Sequence, residues 1–509
     1  MQNLPDKLYN VDSVVQLEQI AINQFGIPAY TLMKSAGEAV FNVIQTKYPS
    51  CKNILVLCGA GNNAGDGYVV ARLAKQAGLT VRVISLVEAV TLKNEALLAY
   101  QDWLHVGEND IADELLINEA DIIVDALLGT GLKREVSGKW AKWITAVNNS
   151  LKPVISVDIP SGLMADTGVI SGHAIQADIT VSFIGLKQGM FTAQAKDVCG
   201  ETVFSDLAVP EEVFDQVKTE TRLINNIDYS LLPKRKASSH KGCFGHVLIV
   251  GGNEGMPGAV ILAATAALRA GAGLLTIITV AKNLQVISSA VPEAIIKTCE
   301  VDTVIEVFKE DFVNTVTHVA IGMGLGQDNW SSALLEHCVQ LNKPMLVDAD
   351  GLNLLAQSEL VINSELIITP HPGEAARLLM KTNRQAKEQL SQAGSAGIQN
   401  NRFHAIHVLF ELFDSAKACV VILKGSGSLI FDGQTLKVCN LGNAAMAAPG
   451  MGDVLSGIVI ALLAQGIKAS DAAELGVCLH ASAAQLVTQE KTRGLLASDV
   501  VRALPEVLQ

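Results

Sequence analysis

The chain is poor in the features that mark a membrane-embedded, exported or nucleic-acid-binding protein. Lysine and arginine number 38 against 51 aspartates and glutamates, a formal net charge of −13. A broad basic surface for nucleic acid is excluded on that balance, although a local basic pocket for one anionic ligand is not. The nine cysteines are odd in number and never form a CxxC pair. Their pattern argues against a disulfide framework or a structural zinc site and suits a reducing compartment. No run of about 18 uncharged apolar residues occurs; the longest candidate, 259–281, is broken by Arg269, Gly271 and Gly273. Residues 1–10 lack the basic-then-apolar order of a secretory signal. Proline (14) and aromatic residues (5%) are sparse as well. A soluble, cytoplasmic protein that meets neither membrane nor nucleic acid is expected.

What is abundant is aliphatic residues and glycine. Hydrophobic residues make up 49% of the 509, with 42 glycines, which suits an α/β enzyme turned on glycine and rules out a disordered or collagen-like chain. Short β-branched runs at 54–58, 81–86, 122–127, 154–159 and 179–184 alternate with helical patterns at 67–76 and 140–147. Two further helices are expected at 11–25 and 32–44, before the first strand. The same rhythm restarts with strands at 247–250, 274–278, 319–321, 345–347, 366–368 and 420–423. Alternation of this kind predicts right-handed βαβ units around parallel sheets. Two α/β domains follow, 1–215 and 226–509, joined by a linker at 216–225. The basic cluster at 234–242 reads as solvated linker, and no short internal repeat is visible.

In the first domain, Gly59-Ala60-Gly61-Asn62-Asn63-Ala64-Gly65-Asp66-Gly67 joins a strand to a helix. Such a turn presents backbone N–H groups to an anion, but it is neither a GxGxxG fingerprint nor a P-loop. Two more strand ends, Asp125 to Gly131 and Asp158 to Gly162, converge on the same edge if the sheet is parallel. Carboxylates placed there can ligate a cation or move protons.

These three clusters resemble the NAD(P)H-hydrate epimerase family over nearly all of residues 1–215. The family loop commonly reads NNGGDG, so Ala64 stands in place of a glycine, which matters only if that position needs positive φ. The resemblance implies a Rossmann-like three-layer domain. It implies that Asn62, Asn63, Ala64, Gly65 and Asp66 contact a damaged dinucleotide, as do Gly129, Thr130, Gly131, Leu132, Lys133, Arg134, Glu135 and Asp158. Potassium would be held by Asn63, Asp125 and Ser161. Asp158 would be the acid/base for inversion at the hydrated ring carbon, with Lys133 its candidate partner and Arg134 an electrostatic alternative.

In the second domain, Gly450-Met451-Gly452-Asp453 opens an apolar helix. Amides around an anion with a carboxylate beside them suit phosphoryl transfer, the carboxylate taking the hydroxyl proton. Lys424-Gly425-Ser426-Gly427-Ser428, Thr369-Pro370-His371-Pro372-Gly373-Glu374, Gly322-Met323-Gly324-Leu325-Gly326 and Val347-Asp348-Ala349-Asp350 accompany it. Together these resemble the ribokinase-like fold, and its ADP/ATP-dependent NAD(P)H-hydrate dehydratase branch in particular. The resemblance implies that Lys424, Gly425, Ser426, Gly427, Ser428 and Gly452 bind the adenine nucleotide. It places Ala259, Gly324, His371 and Asp453 on the hydrate, with Asp453 catalytic and Glu374 organising magnesium.

The combined expectation is a bifunctional enzyme, working as a homo-oligomer, that repairs NADH and NADPH hydrates with ADP or ATP as cosubstrate. Two rivals stand beside it. One is a ribokinase-like kinase that releases its phosphorylated product. The other makes the first domain a non-catalytic nucleotide-sensing or protein-interaction module.

Overall fold

The structure, a computed structural model, describes residues 4–380, 394–489 and 491–508. Its chain divides after Leu223 into two compact units.

The first unit is built on the strands β1 (Asn53–Cys58), β2 (Thr80–Ser85), β3 (Ile122–Ala126), β4 (Val154–Val157), β5 (Ile179–Phe183) and β6 (Glu201–Ser205). They lie in the order β2-β1-β3-β4-β5-β6, every neighbouring pair parallel. Along β1, Ile54, Val56 and Cys58 join one core while Leu55 and Leu57 join another. A parallel strand apolar at every position needs cover on both faces. On one face it comes from α1 (Val11–Asn23), α2 (Ala29–Lys47), α3 (Asn62–Gln76) and α4 (Asn94–Leu104), and on the other from α5 (Gly138–Asn149). That is a three-layer α/β unit.

The strands of the second unit are β7 (His246–Val250), β8 (Leu274–Thr279), β9 (Ile295–Thr298), β10 (His318–Ile321), β11 (Met345–Val347), β12 (Glu365–Ile368), β13 (Ala418–Leu423), β14 (Leu429–Phe431) and β15 (Leu436–Cys439). Their order is β9-β8-β7-β10-β11-β12-β13-β14-β15. Pairing is parallel as far as β13 and antiparallel beyond it. One core packs that sheet against α6 (Pro257–Arg269), α10 (Met451–Ala464), α11 (Ala469–Thr488) and α12 (Ala497–Val507). Between α6 and α10 come α7 (Ala349–Gln357), α8 (Pro372–Met380) and α9 (Arg402–Phe410). Buried nearly all round, α10 has the apolar composition such a helix needs.

Three local readings are corrected. The 216–225 segment is not an open linker, because Thr221–Ile224 forms a strand and the Leu223 N–H donates to the Asp6 carbonyl at 2.6 Å. Its threonine and apolar residues were outvoted by charged neighbours in the sequence. The basic cluster is not wholly solvated either. Arg235 lies 3.7 Å over the Phe244 ring and donates to Gln465 at 2.8 Å, since a guanidinium packs on aromatic faces without losing its charge. Thirdly, β6 and β9 were not anticipated, both being short and only partly buried. Among the described residues no helix is long and apolar enough to cross a membrane.

Gly59 closes β1 where the chain passes the strand-end turn after β3. A Cβ there would stand 1.8 Å from the Leu127 carbonyl oxygen, a backbone atom with no room to move. Gly59→Ala is expected to destabilise the first unit by about 3 kcal/mol through overpacking, read as a lower denaturation midpoint for that unit while the second unit's transition stays put.

Candidate active sites

Parallel pairing brings the carboxyl ends of β1, β3, β4 and β5 to one edge, where open α/β sheets hold ligands. A cavity of about 980 Å³ opens there in the first unit. Asn62, Asn63, Asp66, Gly129, Thr130, Gly131, Leu132, Lys133, Arg134 and Asp158 line it. Glu18 of α1 and Leu32 and Met33 of α2 line it as well. Ala64, Gly65 and Glu135 stand back from the lining. The expected Asn62–Gly67 loop is in fact the opening of α3, and the Ala64 N–H donates to Gly61 at 3.0 Å. Ala64 therefore has right-handed helical geometry, and its methyl carries no penalty of the kind positive φ would impose.

Asp125 is fully buried behind the cavity. One of its oxygens accepts from Ser156 Oγ at 2.8 Å and from the Ser161 N–H at 2.9 Å; the other accepts from Ser161 Oγ at 2.6 Å. Asn63 buries both its amide oxygen and its amide nitrogen without a hydrogen bond. Leaving such groups unpaired costs about 1–3 kcal/mol each, and a cation on the amide oxygen would relieve part of that. Amide, hydroxyl and carboxylate oxygens form a hard donor set, so these residues fit an alkali cation.

Asp158 follows β4 at φ +65°, outside the region a non-glycine residue prefers. Its carboxylate is ion-paired with the fully buried Lys187. Lys187 also donates to Ser182 Oγ at 3.1 Å and to the Phe183 carbonyl at 3.2 Å. The ammonium on Asp158 thus comes from Lys187, while Lys133 sits exposed on the cavity wall. A sequence signal existed: Gly185-Leu186-Lys187-Gln188-Gly189 puts one charge in an otherwise uncharged stretch just after a strand. Burial, reinforced by the Asp158 charge, pushes the Glu18 carboxyl up to about 7. Asp66 is pushed well up by burial and by Asp158 and Glu18, against the opposing pull of Lys187.

The second site gathers at the ends of β10, β11, β12 and β13. Lys424 Nζ lies 2.6 Å from Asp348 and 3.8 Å from Glu374. Asp348 also accepts from Ser456 Oγ at 2.7 Å. Burial alone would lower Lys424, but Asp348 and Glu374 outweigh it and raise the ammonium. Burial would likewise raise Asp348, and Lys424 turns that into a lowering. Gly452 is next to both, since a Cβ on it would stand 3.2 Å from Lys424 Nζ and 3.5 Å from Asp348. Gly450, at φ +83°, turns the chain into α10 and sets Asp453 in its first turn. Burial and the neighbouring Asp348 push Asp453 up to about 7, with Lys424 opposing and Glu374 adding to the rise.

His371 and Glu374 brace one turn. The His371 N–H donates to Glu374 at 2.7 Å, and His371 Nε2 lies 3.2 Å from the other carboxylate oxygen. With both oxygens engaged, Glu374 does not by itself make a magnesium site. Among the described residues no group of three or more His, Cys, Asp or Glu is arranged for a metal. Ala259 and Gly324 adjoin, a Cβ on Gly324 falling 3.0 Å from that of Ala259. The Lys424–Ser428 loop joins β13 to β14, and Ser428 Oγ donates to the Gly425 carbonyl at 3.2 Å. Arg402, at the start of α9 and fully buried, donates to the carbonyls of Leu423, Lys424 and Gly427 at 3.1–3.3 Å. Nothing local in the sequence marks Arg402, because the three loop carbonyls it holds lie more than twenty residues away.

Each unit therefore holds several carboxyl groups and an ion-paired lysine where parallel strands end, which defines an enzyme with two sites for small-molecule acid–base and group-transfer chemistry. The family profile of the NAD(P)H-hydrate dehydratase matches residues 247–506, and that of the YjeF-related protein N-terminus matches residues 29–189. The bifunctional NAD(P)H-hydrate repair enzyme of Vibrio cholerae is 41% identical, over 99% of both chains. That of Escherichia coli is 39% identical, over 99% of this chain and 95% of its own. An ADP/ATP-dependent NAD(P)H-hydrate dehydratase structure from Bacillus subtilis is 28% identical, covers 55% of this chain and 94% of its own, and superposes with a TM-score of 0.47. The chain belongs to the bifunctional NAD(P)H-hydrate repair enzyme family.

If Asp453 is the base of the second unit, it must be ionised to accept a proton, and activity should fall as pH drops below about 7. Lys424→Met removes the cation that lowers Asp453, and the ascending limb of the pH–rate profile is expected to move to higher pH. An unmoved limb would mean that Asp453 does not set it.

Proposed function

We propose that the first unit interconverts the R and S hydrates of NADH and NADPH. The second unit converts the S hydrate back to NADH or NADPH at the expense of ADP or ATP, yielding AMP or ADP and phosphate. The observation that carries this reading is the pair of carboxylate–lysine clusters, each inside the segment matched by its own half of the family.

In the second unit, Asp453 takes the proton of the ring hydroxyl as the oxygen attacks the terminal phosphoryl group of the nucleotide. Amides at the start of α10, opened by Gly450, face the charge that develops on the phosphoryl oxygens. Hydroxide leaves poorly and phosphate leaves well, so elimination of phosphate then restores the ring double bond. The Lys424–Ser428 loop, held from behind by Arg402, and Gly452 are the nucleotide's contacts in this reading. Ala259, Gly324 and His371 are the hydrate's. Magnesium enters as counter-ion of the nucleotide phosphates.

In the first unit Asp158 is the acid/base for loss and return of the hydroxyl at the inverting carbon, with Lys187 holding its carboxylate in place. The cavity residues Asn62, Asn63, Asp66 and Gly129 to Arg134 receive the dinucleotide, with Ala64, Gly65 and Glu135 just behind them. Asn63, Asp125 and Ser161 would hold potassium, which would supply a fixed positive charge to offset the buried Asp125 carboxylate. Work in the cytoplasm as a homo-oligomer, with exposed Val15 and Phe25 at α1 as apolar surface, belongs to the same proposal.

Mixed R and S hydrates with magnesium, potassium and either nucleotide are expected to regain the near-ultraviolet absorbance of NADH completely. Asp453→Ala should slow that recovery by about 10²–10⁴-fold, the usual worth of a general base. Asp158→Ala should leave rapid recovery of the S fraction and reduce the R fraction to its spontaneous rate. A phosphorylated product that accumulates without NADH would overturn the dehydratase assignment.

A further inference from the structure

Inversion at the hydrated carbon needs proton transfer on two faces of the ring, and Asp158 serves one. The hydroxyl stands on the carbon beside the ring nitrogen, because water adds to an enamine double bond at that carbon. Its loss and return from the other face therefore require an acid on one side and a base on the other. Asp66 and Asp158 both reach the cavity from the strand-end side, Asp66 near the start of α3, the helix that follows β1, and Asp158 directly after β4. Glu18 reaches it from α1, with Val14, Val15, Gln19 and Ile22 of the same helix. Its place on α1 is unusual for an acid. Four residues on from buried Val14 and next to buried Leu17, it sits at the margin of the helix's apolar face.

Resting on the epimerase reading of this unit, we propose that Glu18 is the second proton-transfer residue of the first site, working across the ring from Asp158. Glu18 gives its proton to the departing hydroxyl. The C–O bond breaks with its electron pair on oxygen, water leaves, and the nitrogen lone pair forms a C=N bond. Water then adds to the opposite face, the C=N pair returns to nitrogen, and the added water passes its proton to Asp158. One turnover moves one proton from Glu18 to Asp158, and the reverse turnover or exchange with solvent restores it. No oxidant or reductant is consumed. Burial and the Asp158 charge, which place Glu18 at about 7, suit a group that must be an acid in one direction and a base in the other.

The test uses the full chain and exchange between R and S hydrates without ADP or ATP, so that the second unit stays idle. For E18Q the expected result is a fall in kcat of about 10²–10⁴-fold with KM changed by less than about threefold. Dehydration of the pure S hydrate, assayed with ADP, should be unchanged and reports that the chain is folded. In E18A, added formate should restore exchange by about tenfold or more, a rescue that a merely structural role would not allow. Exchange in E18Q within about threefold of wild type would overturn the proposal. So would loss in E18A that formate leaves untouched, or a kcat loss confined to D66N. Wild-type exchange no faster than the spontaneous rate would instead overturn the epimerase reading on which the proposal rests.

Discussion

At each site several buried or partly buried carboxyl groups feel the charge of one ammonium. Lys187 acts on Asp158, Asp66 and Glu18; Lys424 acts on Asp348, Glu374 and Asp453. A poorly solvated pocket does not support three carboxylates against one cation, so the charge is divided unequally among them. The lysine takes one carboxylate as its close partner, Asp158 in the first unit and Asp348 in the second. The carboxyls left over are pushed upward, with Glu18 and Asp453 each held near 7. Groups that gain and lose protons easily near neutrality are what proton transfer requires, and here burial produces them, together with a shortage of positive charge to offset it.

That shortage is maintained by the sheets. Parallel strands covered on both faces carry apolar side chains along their length and release the chain only at their ends. Polar residues are therefore concentrated at the strand ends, and the parallel direction puts those ends on one edge. Strain is tolerated there as well. Asp158 at φ +65° costs on the order of 1–3 kcal/mol, carried by the packed strand β4 before it and by its N–H bond to the Val181 carbonyl of β5 at 2.7 Å.

Much of this was legible along the chain. The β-branched runs placed most strands within one or two residues, and their alternation with helices announced the α/β class. Asp158 and Asp453 were legible as candidates because each lies in a local cluster of glycine and polar residues, Asp158 after an apolar strand and Asp453 ahead of an apolar helix. Lys187 was harder to read, because a lysine after a strand is ordinarily solvated and only the folded chain buries it under Asp158. Glu18 looked like part of an amphipathic helix, and its meaning depends on what α1 faces. Arg402 carries no motif, since its partners Leu423, Lys424 and Gly427 meet it only in the fold. The Asn62–Gly67 segment reads as an open loop because glycines favour turns in isolation, whereas tertiary packing here draws them into α3, with Asn62, Asn63 and Asp66 on the cavity.

By itself the amino-acid order determined the α/β class, the two-part organisation and the acids at strand ends, because hydrophobic periodicity and glycine-rich turns are local properties. Tertiary structure alone decided which cation meets which acid. It paired Lys187 rather than Lys133 with Asp158, joined Lys424 to Asp348 across 76 residues, and brought Glu18 into the cavity. Those pairings set the protonation of the sites, and they depend on burial and distance, which no spacing along the chain encodes.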